Sequence, residues 1–132
     1  MRARLFHLLV ATALASAATA ALAQLHDVAW DERGGAALRQ QVAAGKSLEW
    51  CAPLRPGDDI HWEFDSGDAL EMNVHFHEGN NVVYPVTSAE AASRNGRLTA
   101  PAEHVYCWMW TNKGRAPVAL QARLQKALRR QP

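Results

Sequence analysis

The stretch HVYCWMWTN, His104 to Asn112, organises the reading of the chain, and it runs into the turn-forming residues Asn112, Lys113 and Gly114. Read with the period of two that a strand imposes, Tyr106, Trp108 and Trp110 fall on one face and Val105, Cys107 and Met109 on the other. The first face is a heavily aromatic core face. The second carries Cys107, and the only other cysteine is Cys51, in a second aromatic run, SLEWCAPL.

Working outward, short strands separated by turn chemistry fill Ser47 to Leu124. Leu48 to Ala52 precedes the turn Pro53 to Asp58. Ile60 to Asp65 alternates Ile60, Trp62 and Phe64 with His61, Glu63 and Asp65, and Ser66-Gly67-Asp68 breaks the chain. Ala69 to His77 then sets Leu70, Met72, Val74 and Phe76 against Glu71, Asn73, His75 and His77, a pattern that predicts one core face and one wet face. Glu78 to Asn81 turns into Val82 to Val86, where Pro85 suits a strand edge or end. Thr87 to Asn95 is polar and alanine-rich and reads as one helical turn. Short strands follow at Arg97 to Ala100 and Pro117 to Leu124. Many short strands without βαβ spacing predict an all-β antiparallel β-sandwich of jelly-roll type.

Ahead of this unit, GGAALRQQVAAGKS starts after a Gly pair, spaces Leu38 and Val42 by four and ends at Gly45, which predicts a short N-terminal helix. Residues 1–23 read as a secretory signal: Arg2 and Arg4, a Leu- and Ala-rich run, and Ala21-Leu22-Ala23 before Gln24. Ser16 and Thr19 dilute its later half, against a membrane span, so no transmembrane anchor is expected after cleavage. The expected organisation is signal 1–23, N-terminal segment 24–46, sandwich 47–125 and basic tail 126–132, in a periplasmic or secreted protein.

Removing the signal leaves 109 residues, enough for one core, with 12 basic against 13 acidic residues. That balance excludes the basic footprint of a nucleic-acid binder. Two cysteines in an exported chain read first as a disulfide, Cys51 to Cys107. The competing reading leaves Cys107 as a thiolate that binds metal.

The order of features resembles the Golgi-dynamics (GOLD) domain: "LRPGDDIHWEF", an alternating strand, "GRLTAPAEHVYCWMWTN", then "APVALQARL". Gly57 with Trp62 and Phe64, the step Gly96 to Pro101, and Tyr106 opening an aromatic strand that closes on Asn112 match that domain's turn and core pattern. The cysteine pair also looks like the bridge in GOLD domains of cargo receptors, although Cys107 here directly follows the Tyr. The resemblance implies a β-sandwich that binds or docks, with no catalytic residue to carry over. Nothing after Leu124 resembles the coiled coil or membrane span of the receptors, so cargo transport is not implied.

The chemical feature the chain offers is His75-Phe76-His77, whose two imidazoles project to the polar side of one strand beside Asn73 and Glu71. So placed they can bind copper or zinc, given one or two further ligands. His61, His104, Glu78, Met109 and a reduced Cys107 are the partners on offer, and Cys107 with Met109 would supply a thiolate and a thioether. The plainer reading makes them solvent-face residues in cross-strand hydrogen bonds. Glu63, Asp65, Glu71 and Glu78 read as solvated carboxylates, and Ser66 and Ser88 have no base beside them. No G-x-S-x-G, H-E-x-x-H or phosphate-loop pattern occurs, so no catalytic residue is assigned. The tryptophans read as core, with an apolar or saccharide groove as the alternative. The expectation is a non-enzymatic binding module whose contact face is Asn73, His75, His77 and Glu78 and whose partner is an unknown protein or small ligand. The alternative is a copper or zinc binder using His75, His77, His61 and Met109.

Overall fold

The computed structural model describes residues 23–128; the signal reading and the end of the basic tail, residues 129–132, fall outside them. The described chain forms β1 (Gln24–Asp27), β2 (Gly35–Val42), β3 (Ser47–Leu54), β4 (Asp59–Glu78), β5 (Asn81–Thr99), β6 (His104–Thr111) and β7 (Val118–Lys126). They make one seven-stranded sheet in the order β1-β3-β6-β4-β7-β2, with β5 on the other edge of β4. Only β1, parallel to β3, departs from antiparallel pairing.

The expected sandwich of two separate sheets is therefore corrected to one mixed sheet, curled on itself. The cause lies in β4. Residues 60–66 pair with β7, residues 71–75 pair with β6, and β5 follows both halves. Between the pairs Asp65↔Ser93 and Leu70↔Ala91, five steps along β4 face two along β5. The three surplus residues fall within Ser66 to Ala69, which contains the expected chain break Ser66-Gly67-Asp68. It bulges instead, held by Ser66 Oγ, which donates to the carbonyls of Asp68 (2.7 Å) and Ala92 (3.2 Å). A bulge re-aims a strand without ending it, and here it moves β4 from one neighbour to the next.

Curling brings the apolar faces of both halves into one core. Trp50, Trp62, Trp108, Trp110, Tyr106 and Phe64 are all buried in it, which bears out the core reading of the aromatics. Phe64 of the first half meets Trp110 of β6 edge-on at 5.8 Å. Each such ring contributes about 2–3 kcal/mol through the area it removes from water.

The expected N-terminal helix is β2, paired residue by residue with β7 from Gly35↔Gln125 to Val42↔Val118. Leu38 and Val42 do share a face, but the same spacing is even, and β7 offers an edge that buries it. The expected helical turn at Thr87 to Asn95 is likewise the middle of β5, and Arg97 to Thr99 is its end. Residues 24–42 thus supply two strands to the sheet.

Loops are closed by side chains. Asp58, 4% exposed, caps its own turn by accepting from Arg55 N (2.8 Å) and pairs with Lys126 Nζ at 3.2 Å. Gly57 in that turn has φ +82°, which only glycine adopts freely. Buried Asn112 donates to the carbonyls of Val42 (2.9 Å) and Ala116 (2.7 Å) and accepts from Gly114 N (2.9 Å), fixing the β6–β7 loop to the end of β2.

Candidate functional site

The residues singled out in β4 lie on the outer face of its second half. Antiparallel register sets Cys51 opposite Cys107 and Cys107 opposite His75, so three strands contribute one row. The next row is Glu49, Met109 and Asn73. Cys51 and Cys107 form the expected disulfide, with a Cα–Cα distance of 4.1 Å, and Cys107 is not available as a thiolate. Glu49 lies with the two sulfurs inside a 4.8 Å cluster, but sulfurs bonded to each other are not metal-ligating thiolates.

The expected wet face is dry at its centre. Asn73 is 7% and His75 4% exposed, although both alternate out of phase with the core. The disulfide covers them from one side and β5 from the other. Between Val74↔Val86 and Phe76↔Val83, three steps along β5 face two along β4, and Tyr84 and Pro85 occupy that irregularity. The Tyr84 ring lies 5.9 Å from that of His75, and His77 meets His75 edge-on at 5.4 Å.

Burial obliges these polar groups to find partners. His75 Nδ1 and Asn73 Oδ1 are 2.9 Å apart, and Asn73 Nδ2 donates to Ser88 Oγ at 3.4 Å. With Nδ1–H donating to Asn73, the lone pair of Nε2 points toward Glu49 Oε1, 3.8 Å away. Burial pushes the imidazole below its ordinary value, the Glu49 carboxylate opposes that, and His77 adds to it.

His77, Glu78 and the tip of the β4–β5 hairpin are exposed. Val82 pairs with His77, and Val82 (41%), Tyr84 (49%) and Val105 (54%) are large apolar residues open to solvent. Val105 lies two residues before Cys107, and His77 two after its partner His75, so both are on the outer face. An exposed apolar cluster rimmed by polar groups is the usual mark of a contact surface. The alternation of β4 points to this face but not to Tyr84 or Val105; the run Val82-Val83-Tyr84-Pro85, apolar beside a turn, is the signal the sequence offers for Tyr84.

Of the residues expected to bind metal, His75, His77 and Met109 share this face. His61 does not join them: it sits in the half of β4 that pairs with β7, beside Gln125 and Arg97. His104 stacks on Phe76 with centroids 4.5 Å apart.

No protein-family model and no curated protein sequence matches the chain. Solved structures do share its fold. PliG of Aeromonas hydrophila, a periplasmic lysozyme inhibitor of g-type lysozyme, aligns with TM-score 0.63 and 12% identity over 79% of this chain and 96% of that one. PliG of Salmonella Typhimurium, described in the same words, aligns with TM-score 0.59 and 14% identity over 80% of this chain and all of that one. The pre-peptidase C-terminal domain of a Bacillus anthracis collagenase reaches TM-score 0.50 at 10% identity, over 83% and 98% of the two chains. At such identities the likeness is one of fold.

Proposed function

We propose that the protein is an exported, non-enzymatic module that binds a protein partner through the hairpin-tip face, and that the partner is a lysozyme of the g type. The observation that carries this reading is the exposure of Val82, Tyr84 and Val105 on the face that carries His77, on a fold shared over most of its length with two inhibitors of that enzyme. The GOLD resemblance points the same way, toward docking rather than catalysis. The cell wall lies outside the cytoplasmic membrane, so an inhibitor of its hydrolases needs export and tolerates a disulfide.

Tyr84 is the anchor in this reading. It is a large amphipathic side chain held against His75 and half open, the type of residue that dominates protein interfaces. The test is lysis of a cell-wall suspension by g-type lysozyme with and without the purified exported protein. Inhibition at micromolar concentration is expected, and Tyr84→Ala should weaken it by about 2 kcal/mol, some thirtyfold. Absence of both inhibition and binding rejects the assignment of partner.

A copper or zinc site at His75 and His77 is the second reading. It is favoured by His75 Nε2, which faces the Glu49 carboxylate with a lone pair when Nδ1 donates to Asn73. Titration of the oxidised protein with either ion, against a His75→Ala/His77→Ala variant, tests it. Affinity indifferent to both histidines rejects the site.

A further inference from the structure

Four side chains able to ligate a metal meet on the outer face of the sheet. The period of two sets Glu49 and Cys51 on one side of β3, and the register carries the row on across β6 to β4 as Cys51, Cys107 and His75. The two sulfurs and a carboxylate oxygen of Glu49 all lie within 4.8 Å of one another. His75 Nε2 stands 3.8 Å from Glu49 Oε1.

While the sulfurs are bonded to each other they offer no thiolate, and the group lacks two of its ligands. Reduction supplies them. A dithiol reductant gives up two electrons and two S–H hydrogens: the Cys51–Cys107 S–S bond breaks, the reductant closes its own, and each cysteine takes one hydrogen. A divalent ion then displaces the two thiol protons. Two thiolates, an imidazole and a carboxylate on bonds of about 2.0–2.3 Å make a tetrahedral zinc set, with donor atoms about 3–4 Å apart. The cysteines reach that spacing by turning their side chains, because their Cα atoms already face each other at 4.1 Å. His75 is held ready as a ligand. Asn73 donates through Nδ2 to Ser88, so its Oδ1 accepts from His75 Nδ1–H at 2.9 Å and Nε2 keeps the lone pair. Glu49, with 18% of its side chain open to solvent against 6% for His75, is the way in for the ion.

We propose that the reduced protein binds one zinc ion through Cys51, Cys107, His75 and Glu49, so that disulfide and metal are alternative ties at the same place. The bridge joins β3 to β6 alone, whereas the ion also holds β4 through His75. This site is distinct from the histidine pair of the second reading above, because it requires reduction and leaves His77 unused.

The test is titration of the exported protein with cobalt(II) and then zinc(II) under anaerobic conditions, after reduction by a dithiol, removal of that dithiol and a count confirming that both cysteines are free thiols. One equivalent of cobalt should give a thiolate-to-cobalt charge-transfer band and the strong visible absorption of a four-coordinate ion, and zinc should displace it with a Kd below about 1 μM. Zinc at about 10 μM free ion should also raise the Tm of the reduced protein by about 5 °C or more. Glu49→Gln, and His75→Gln, which keeps an amide for Asn73, should each weaken zinc by about tenfold or more, while His77→Ala leaves the affinity unchanged. No binding by the reduced protein, equal binding by the oxidised one, or a Tm indifferent to zinc overturns the proposal. An unchanged Kd in Glu49→Gln or in His75→Gln, the result expected of two thiolates in an unfolded chain, also overturns it, as does a loss of affinity in His77→Ala.

Discussion

The two halves of β4 have the same sequence pattern and different surroundings. In Ile60 to Asp65 and in Leu70 to His77 alike, apolar residues alternate with polar ones, and in both the apolar set enters the core. Outside, His61, Glu63 and Asp65 are exposed, whereas Asn73 and His75 are buried. Alternation reports which side of a strand faces the core. It does not report whether the other side meets water, because that depends on what the neighbouring strands place over it. In the first half the neighbours contribute small or charged residues and leave a cavity; in the second they contribute a disulfide and an irregular strand that tilts Tyr84 over His75.

The largest expected effect comes from removing the covering disulfide. The bridge joins residues 56 apart in sequence, and in the chain-entropy account a loop of that length contributes about 4 kcal/mol. Cys51→Ala/Cys107→Ala should therefore lower Tm by about 15–25 °C. Hydrogen exchange of the same variant sharpens the comparison. Amides from Asn73 to His75 should lose protection before those from Trp62 to Phe64. Equal loss in the two halves would mean that they open as one unit and that the disulfide does not support the second half in particular.

Next in size is Gly96→Ala, which probes the first half. Its Cβ would meet the Trp62 indole at 2.5 Å, so the ring must move within a filled core, at about 1–3 kcal/mol. Gly67→Ala is the control. It lies in the bulge where β4 changes partners, with nothing within 4 Å of the added carbon, and stability should change by less than about 0.5 kcal/mol. Denaturant midpoints measure both. If Gly67→Ala proves the more damaging, backbone freedom in the bulge, rather than packing beneath Gly96, sets the shape of β4.

Much of this was legible in the sequence. The aromatic strand, the core phase of Trp62, Trp108 and Trp110 and the pairing of Cys51 with Cys107 follow from periodicity and from the oxidising compartment expected for an exported chain. What was not legible depended on long-range pairing. Leu38 and Val42 fit a helix or a strand equally, and β7, some 80 residues away in the chain, decides for the strand. Ser66-Gly67-Asp68 has turn composition, and only the simultaneous presence of β5, β6 and β7 beside β4 makes it a bulge. The same holds for the site. His75 and His77 were visible as a pair, but Glu49 and Tyr84 reach His75 from other strands, and His61 lies in the half of β4 that turns away from it.

The smallest expected effect concerns His75 itself and tests whether its burial persists in solution. Burial lowers the pKa of its imidazole in the folded protein, with Glu49 opposing and His77 reinforcing the shift. The unfolded chain, where His titrates near its ordinary value of about 6.5, then binds the proton more readily than the folded one. Stability from this group is fully present above about pH 6.5 and is lost as the pH falls toward the lower folded value. In His75→Gln that dependence is removed, while an amide remains to bond Asn73. Thermal melts of both proteins between pH 8 and pH 5 should run parallel at the upper end and converge on acidification, as the unmodified protein loses its advantage. Curves that stay parallel throughout would show that His75 titrates as an exposed histidine, and with that the distinction between the dry and the wet half of β4 would fail at its central residue.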